Sequence, residues 1–211
     1  MILNRITEKS SLLDENINEL AIILAAGHGK RLKSEKSKML HTILGVPTVE
    51  RVYNACKEGV DGINSIIVVG IKAEDVMDYL GKRERNSYAY QEKQHGTGHA
   101  VQVALKGLKN FPDDAIVYIL PGDMGLIDAE TVKQFREEFL KSKADMIVLT
   151  GLYEGKPEEN YYGRIIRAKD EAENVIQIME HKDILALPDD KPFATTYKGK
   201  EYTYTKEELI N

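Results

Sequence analysis

Cysteine is almost absent from this chain of 211 residues, and long apolar runs are missing. Cys56 is the single cysteine, so no disulfide can form within the chain. We expect Cys56 to be a small buried apolar residue in a protein of a reducing compartment. No stretch is long and apolar enough to cross a bilayer, and residues 1–18 lack the apolar core of a signal peptide. These absences predict a soluble cytoplasmic protein.

A strong excess of one charge is also missing. The chain has 29 Lys and Arg against 34 Asp and Glu, which gives a formal net charge of −5. This balance provides no general attraction to nucleic acid or to an acidic membrane, so local basic clusters matter more than the total. We therefore expect no nucleic-acid partner and no membrane partner, and the oligomeric state is left open.

Short apolar runs alternate with longer amphipathic segments from residue 20 onward. The runs typical of strands are residues 20–26, 65–70, 88–91, 115–120 and 145–152. Apolar residues recur at helical spacing in residues 48–57, 73–81, 97–108 and 129–141. Such alternation predicts an α/β fold with a Rossmann-like, mixed but mainly parallel sheet and helices on both faces.

The pattern changes after Leu152. Residues 162–170 and 174–183 indicate paired strands around a turn at 169–172, and the polar residues 184–211 contain a β-like patch at 201–205. We expect one α/β domain over residues 19–183, preceded by a polar extension at 1–18. Residues 184–211 are interpreted as an insertion or as the start of the C-terminal part of the same domain.

Two glycines and several basic residues follow the first predicted strand, in LAAGHGKRLKSEKSKMLH, residues 24–41. Gly27 and Gly29 allow backbone N–H groups to approach an anion closely. Arg31 can grip phosphate oxygens in a fork, and Lys38 can act on them as a mobile point charge. Ligands of open α/β sheets bind beyond the carboxyl ends of the strands, so the stretch predicts a polyphosphate site rather than a solvated basic loop. It is not a Walker A loop, because arginine follows its GK pair.

This stretch resembles the signature of the sugar-1-phosphate nucleotidyltransferases. LAAGxGxRL is followed by Lys38, and "KMLH" with "LGVP" is similar to the version in bacterial N-acetylglucosamine-1-phosphate uridylyltransferases. Two further segments carry the resemblance, QEKQHGTGHAV at 91–101 and LPGDMGLI at 120–127. The likeness covers residues 20–183. It implies the nucleotide-diphospho-sugar transferase fold, and that 19–183 is a nucleotidyltransferase domain.

The resemblance also implies roles for individual residues. Arg31 and Lys38 would be catalytic, and Asp123 would hold the metal. Gly163 and Glu180 would bind the sugar. The nucleotide-binding residues, with the two glutamines at the uracil, would be Leu24, Ala25, Ala26, Gly27, Gln91, Gln94, Gly96 and Thr97. His95 and His99 are expected to be structural or solvent-facing, because no third metal ligand is evident near them, and His41 is expected to be a packing or capping residue.

The implied reaction is the Mg²⁺-dependent transfer of UMP from UTP to N-acetylglucosamine 1-phosphate, a step of peptidoglycan and cell-wall biogenesis. The products are UDP-N-acetylglucosamine and pyrophosphate. The attacking phosphate is already an anion, so positioning and charge neutralisation would carry catalysis without a general base. A carboxylate suits Mg²⁺, and the amide of glutamine suits the acceptor–donor–acceptor edge of uracil.

The sequence departs from the family pattern at several positions. Lys30 replaces the usual threonine, Ser37 replaces the usual proline, and Pro121 and Gly125 near Asp123 also differ. The family's sugar-binding asparagine, its second magnesium ligand and the acetyltransferase β-helix of bifunctional members would all follow residue 211. We therefore expect a domain that is incomplete at its C-terminus. The alternatives are a related enzyme that uses another sugar 1-phosphate or nucleotide, and a truncated non-catalytic nucleotide-binding module.

Overall fold

The computed structural model describes residues 2–27, 36–109, 111–170 and 174–210. The chain divides into two compact units, Met1–Ile147 and Val148–Asn211. Among the described residues, the first unit contains two buried apolar clusters and the second unit contains one. The domain boundaries expected from the sequence stay predictions. None of the helices in the described ranges is long and apolar enough to cross a membrane.

The first unit alternates strands and helices. In chain order it contains α1 (Ile2–Lys9), β1 (Glu19–Ala25), a 3-10 turn (Lys38–Leu40), β2 (Thr42–Ile43), β3 (Val46–Pro47), α2 (Thr48–Gly59), β4 (Asn64–Val69), α3 (Ala73–Leu80), β5 (Asn86–Tyr90), α4 (Thr97–Lys106), β6 (Ile116–Pro121) and α5 (Ala129–Ser142). The predicted helices at 48–57, 73–81, 97–108 and 129–141 are confirmed within a few residues.

A parallel sheet in the order β5-β4-β1-β6 forms the centre of this unit. Strand β1 is covered on both faces, which explains its nearly continuous apolar sequence. Ile22 packs in one cluster with Ala100 of α4, whereas Ile23 packs in another with Val52 of α2 and Met77 of α3. The prediction of helices on both faces of a mainly parallel sheet is confirmed.

Residues before β1 pack along strand β5. The amide of Ser11 donates to the Asn86 carbonyl oxygen at 2.8 Å, and the Ser10 hydroxyl accepts from the Tyr88 amide at 3.0 Å. Arg5 of α1 forms an ion pair with Asp78 of α3. An unpaired strand edge is a template for pairing with another chain, and these contacts cover the edge of β5. The N-terminal residues therefore belong to the first unit.

No strand forms at residues 145–152, so that prediction is wrong. Met146, Leu149 and Leu152 are 73%, 50% and 97% exposed, and the segment has no strand partner in the described part of the chain. A β-like side-chain pattern indicates that a segment suits a half-buried pleated surface. The segment forms a strand only where a neighbouring strand supplies hydrogen-bond partners for its backbone. Strand β6 consequently ends the sheet within the described ranges.

The second unit consists of two antiparallel hairpins and short helices. Its elements are a 3-10 turn (Pro157–Glu159), β7 (Arg164–Arg167), β8 (Val175–Met179), α6 (His181–Leu185), β9 (Phe193–Tyr197), β10 (Lys200–Tyr204) and α7 (Lys206–Ile210). The predicted pairing of the segments around 164–179 is confirmed, with Ile165 opposite Ile178. The predicted turn at 169–172 falls partly outside the described residues. Ile166, Met179 and Ile184 are buried in the core of this unit.

Candidate functional site

Polar residues and glycines follow the carboxyl ends of the parallel strands in the first unit. Gly27 comes shortly after β1, Gly70 directly after β4, Gln91 directly after β5, and Asp123 two positions after β6. Parallel strands have their carboxyl ends at the same edge of the sheet, and ligands of open α/β sheets bind there. The sheet therefore collects segments that are far apart in the sequence.

Lys38 and Asp123 are joined directly at this edge. The Lys38 Nζ donates to Asp123 Oδ2 at 2.7 Å, across 85 positions of sequence. The two side chains are 25% and 44% exposed, so the pair faces solvent. A Cβ on Gly27 would lie 3.1 Å from Cε of Lys38, so the bare glycine leaves room for the lysine stem. The structure thus brings together three residues that the resemblance assigned to nucleotide, catalysis and metal.

The backbone beside Asp123 is held against the end of β1. The amide of Gly122 donates to the Leu24 carbonyl oxygen at 3.0 Å, which continues the β1–β6 ladder by one bond. A Cβ on Gly122 would lie 3.0 Å from Sδ of Met39, whose side chain is 2% exposed. Met39 is the residue after Lys38, so the two segments that carry Lys38 and Asp123 lie closely side by side.

Gln91 is buried and forms the base of the turn before α4. Its exposed fraction is 3%, and its backbone amide donates to the Val69 carbonyl oxygen at 2.8 Å. Its Nε2 donates to the Gly96 carbonyl oxygen at 3.1 Å. Nε2 of Gln94 donates to the Gln91 carbonyl oxygen at 3.0 Å. The predicted uracil-binding segment is therefore one hydrogen-bonded turn, from Gln91 to Thr97.

Gly70 is part of this edge, although its place in the sequence predicts only the end of a strand. A Cβ on Gly70 would lie 2.8 Å from Cβ of Ala26 and 3.0 Å from Nε2 of Gln94. Real Cβ atoms essentially never approach that closely, so any larger residue would separate the two segments. A glycine directly after the second buried strand was the available signal.

The remaining predicted residues are placed as follows. Arg31 lies outside the described residues, as do Gly29 and Lys30. Gly163 and Glu180 belong to the second unit, where they flank the β7–β8 hairpin. A Cβ on Gly163 would lie 3.2 Å from the Met179 carbonyl oxygen and 3.9 Å from Cα of Glu180, so the two residues are close neighbours. Their sugar-binding role stays a prediction.

The carboxylate of Asp123 is suited to a metal ion that arrives together with a substrate phosphate. In the described ranges, no group of three or more His, Cys, Asp and Glu side chains could hold a metal ion. Asp123 supplies a solvent-facing carboxylate at the strand end. Mg²⁺ commonly takes one or two carboxylates together with substrate phosphates and waters, so a single carboxylate is sufficient when the nucleotide supplies the other oxygens.

The comparisons with known proteins show the family of the chain. The family model described as the MobA-like NTP transferase domain matches residues 21–172. The bifunctional protein GlmU of Thermoanaerobacter pseudethanolicus is 43% identical over 164 residues, which are 78% of this chain and 34% of that protein. GlmU of Bacillus subtilis is 35% identical over 191 residues, which are 90% of this chain and 39% of that protein. The chain thus spans little more than a third of the curated relatives it matches.

A solved structure shows the same fold at low sequence identity. The structure of UDP-glucose pyrophosphorylase complexed with UDP-glucose matches with a TM-score of 0.57 at 18% identity, over 78% of this chain and 69% of that chain. The family match, the relatives and the fold lead to one assignment. The chain belongs to the MobA-like NTP transferase domain family and is a GlmU-like member of the sugar-1-phosphate nucleotidyltransferases.

Proposed function

We propose that the chain is the nucleotide-binding part of a Mg²⁺-dependent uridylyltransferase that acts on UTP and N-acetylglucosamine 1-phosphate. The observation that carries the proposal is the Lys38–Asp123 pair, at 2.7 Å, beside the bare backbone of Gly27. A cation and a carboxylate at the carboxyl edge of a parallel sheet suit a nucleoside triphosphate that arrives with a bound metal ion. The sequence resemblance supplies the choice of uracil and of the sugar.

The reaction needs charge neutralisation and alignment more than proton transfer. A phosphate oxygen of the sugar 1-phosphate attacks the α-phosphorus of UTP, the α–β phosphoanhydride bond breaks, and pyrophosphate leaves with its electron pair. Asp123 would hold the Mg²⁺, which when bound neutralises phosphate charge. Lys38 leaves Asp123 and places its ammonium on the phosphates, and Arg31 adds a forked donor to the same oxygens.

Two further parts of the chain recognise the two substrates. Gln91 and Gln94 belong to the hydrogen-bonded turn that would meet the uracil, where each amide has an oxygen acceptor and Gln94 keeps a second N–H donor. Gly163 and Glu180 would meet the sugar, because a glycine allows close approach and a carboxylate accepts from hydroxyl groups.

The test is pyrophosphate release with UTP, Mg²⁺ and N-acetylglucosamine 1-phosphate. We expect Asp123→Asn to lower kcat by about 100-fold or more, as the loss of a charge-stabilising group in a transfer site does. Asp114→Asn is the matched control, since Asp114 is an exposed carboxylate before the amino end of β6, away from the carboxyl ends of the strands. Equal loss in both variants would contradict the role of Asp123. UTP binding without pyrophosphate release by the wild type would indicate the non-catalytic module instead.

A further inference from the structure

The side-chain amide of Gln91 has its orientation fixed by its neighbours. A backbone carbonyl oxygen only accepts hydrogen bonds, so the Gly96 carbonyl at 3.1 Å must face the NH₂ of the amide rather than its oxygen. Nε2 also lies 3.0 Å from Nδ1 of His99. The amide therefore uses one hydrogen on the turn and directs the other to the imidazole.

His99 can accept that second hydrogen only in one form. Its Nδ1 must carry the lone pair, so the neutral ring holds its proton on Nε2. His99 lies in the first turn of α4 (Thr97–Lys106), it is half-buried, and its ring is 5.1 Å from that of His95. Helix α4 packs against the sheet through Ala100, which is 4% exposed. The acceptor is therefore carried on a rigid element.

Both hydrogens of the Gln91 amide are used within the protein, so its oxygen is the atom left for a ligand. No donor among the described residues bonds to that oxygen. Uracil presents an N3–H donor between two carbonyl oxygens, whereas cytosine presents a lone pair at N3. A fixed acceptor bonds to the first base and repels the second, which is the way a site discriminates between similar ligands.

We propose that His99 is a positioning residue that, together with the Gly96 carbonyl, fixes the Gln91 amide so that its oxygen selects a base with an N3–H group. The inference deepens the proposed function and rests on it, because the base concerned is the uracil of UTP. His99 does not contact the reacting phosphates in this scheme. Its effect is on which nucleotide binds and not on the rate of the chemical step.

The experiment compares two substitutions at His99 by calorimetric binding of UTP and CTP to the full chain. His99→Phe keeps a ring of similar size but has no acceptor. His99→Asn restores an acceptor, since its Oδ1 is as many bonds from Cβ as Nδ1 of histidine. We expect His99→Phe to reduce the UTP-over-CTP preference about five- to tenfold, the equivalent of one hydrogen bond, and His99→Asn to keep it within about twofold.

Gln102→Ala is the control, because Gln102 is an exposed residue of α4 outside the turn that would meet the uracil. We expect it to leave the preference unchanged. The amide nitrogen and proton signals of the Gln91 side chain, recorded without nucleotide, supply a second readout. They should move in His99→Phe and stay near their wild-type positions in His99→Asn.

The outcomes separate this inference from the proposed function. A wild type that binds UTP in preference to CTP, with the preference unchanged in His99→Phe, would overturn the role of His99 and leave the proposed function intact. Equal loss in His99→Phe and His99→Asn would also overturn it, since restoring the acceptor then has no effect. A wild type that binds neither nucleotide would overturn the proposed function and the inference with it.

Discussion

The carboxyl edge of the parallel sheet and the β7–β8 hairpin hold their candidate residues in different ways. At the sheet edge, Lys38 and Asp123 come from segments 85 positions apart and meet through sheet order. In the hairpin, Gly163 and Glu180 are neighbours because an antiparallel pair returns the chain to its start. A parallel sheet gathers distant segments, whereas a hairpin can join only nearby ones. Under the proposed function, substitutions at the sheet edge should affect the nucleotide chemistry, and substitutions in the hairpin should affect sugar binding.

The largest expected effect is on turnover after Lys38→Ala. Loss of the ammonium removes charge that would neutralise the phosphates, so we expect kcat to fall by about 100- to 1,000-fold. The measurement is pyrophosphate release under saturating UTP. Lys133→Ala is the matched control, because Lys133 is an exposed lysine of α5. A Lys38→Ala variant with wild-type kcat would show that the ion pair at the sheet edge is only structural.

A second prediction concerns the packing of the same edge. Gly70→Ala would place a Cβ 2.8 Å from Cβ of Ala26, so the backbone segments must separate. We expect a loss of about 1–3 kcal/mol in the free energy of unfolding and weaker UTP binding. Gly107→Ala is the control, since its Cβ would meet its nearest atom at 3.7 Å. Urea unfolding and calorimetry with UTP measure the two effects, and an unperturbed UTP affinity would separate Gly70 from the site.

A third prediction concerns the opposite end of strand β1. Arg136 donates to Glu19 Oε1 through Nη2 at 2.6 Å and through Nε at 2.8 Å, and Tyr118 donates to Oε2. Burial acts to raise the pKa of Glu19, but the hydrogen bonds from Arg136 and Tyr118 outweigh it and hold this pKa below 4.5. We expect Glu19→Gln to lower the free energy of unfolding by about 1–3 kcal/mol at neutral pH.

The pH dependence of that loss has a definite sign. A carboxylate with a lowered folded-state pKa stabilises fully above its unfolded value, here 4.5, and the contribution is lost as the pH falls through the folded-state pKa. The difference between wild type and Glu19→Gln should therefore shrink under acid conditions in urea unfolding. Glu138→Gln, in an exposed pair with Lys141, should show little effect at any pH. If the difference in unfolding free energy between wild type and Glu19→Gln did not change with pH, the ionised carboxylate of Glu19 would not be its cause.

The smallest expected effect is in the hairpin. A Cβ on Gly163 would lie 3.2 Å from the Met179 carbonyl oxygen, a contact that a small backbone shift relieves. We expect Gly163→Ala to raise KM for the sugar 1-phosphate about threefold to tenfold with little change in KM for UTP. Gly151→Ala is the control, because its Cβ would meet open space. Equal changes in both KM values would show that the two regions do not divide the substrates.

Much of the first unit could be predicted because the signals are local. The apolar runs of β1, β4 and β6 and the helical spacing of α2 to α5 each depend on residues close together in sequence, and all were found. The burial of Cys56 was also predictable, and its burial raises the pKa of the thiol to about 12. Residues 145–152 carry the same kind of local signal and form no strand, because strand formation needs a partner that local sequence does not specify.

The sequence by itself determined the chemistry available at each strand end: a bare backbone at Gly27, a cation at Lys38, amides at Gln91 and Gln94, a carboxylate at Asp123. Tertiary structure decided which of these meet. The order β5-β4-β1-β6 sets Asp123 beside Lys38 and presses Gly70 against Ala26 and Gln94. Residue type and periodicity are properties of neighbouring residues, whereas these contacts depend on strand order and register, which arise only when the whole sheet has packed.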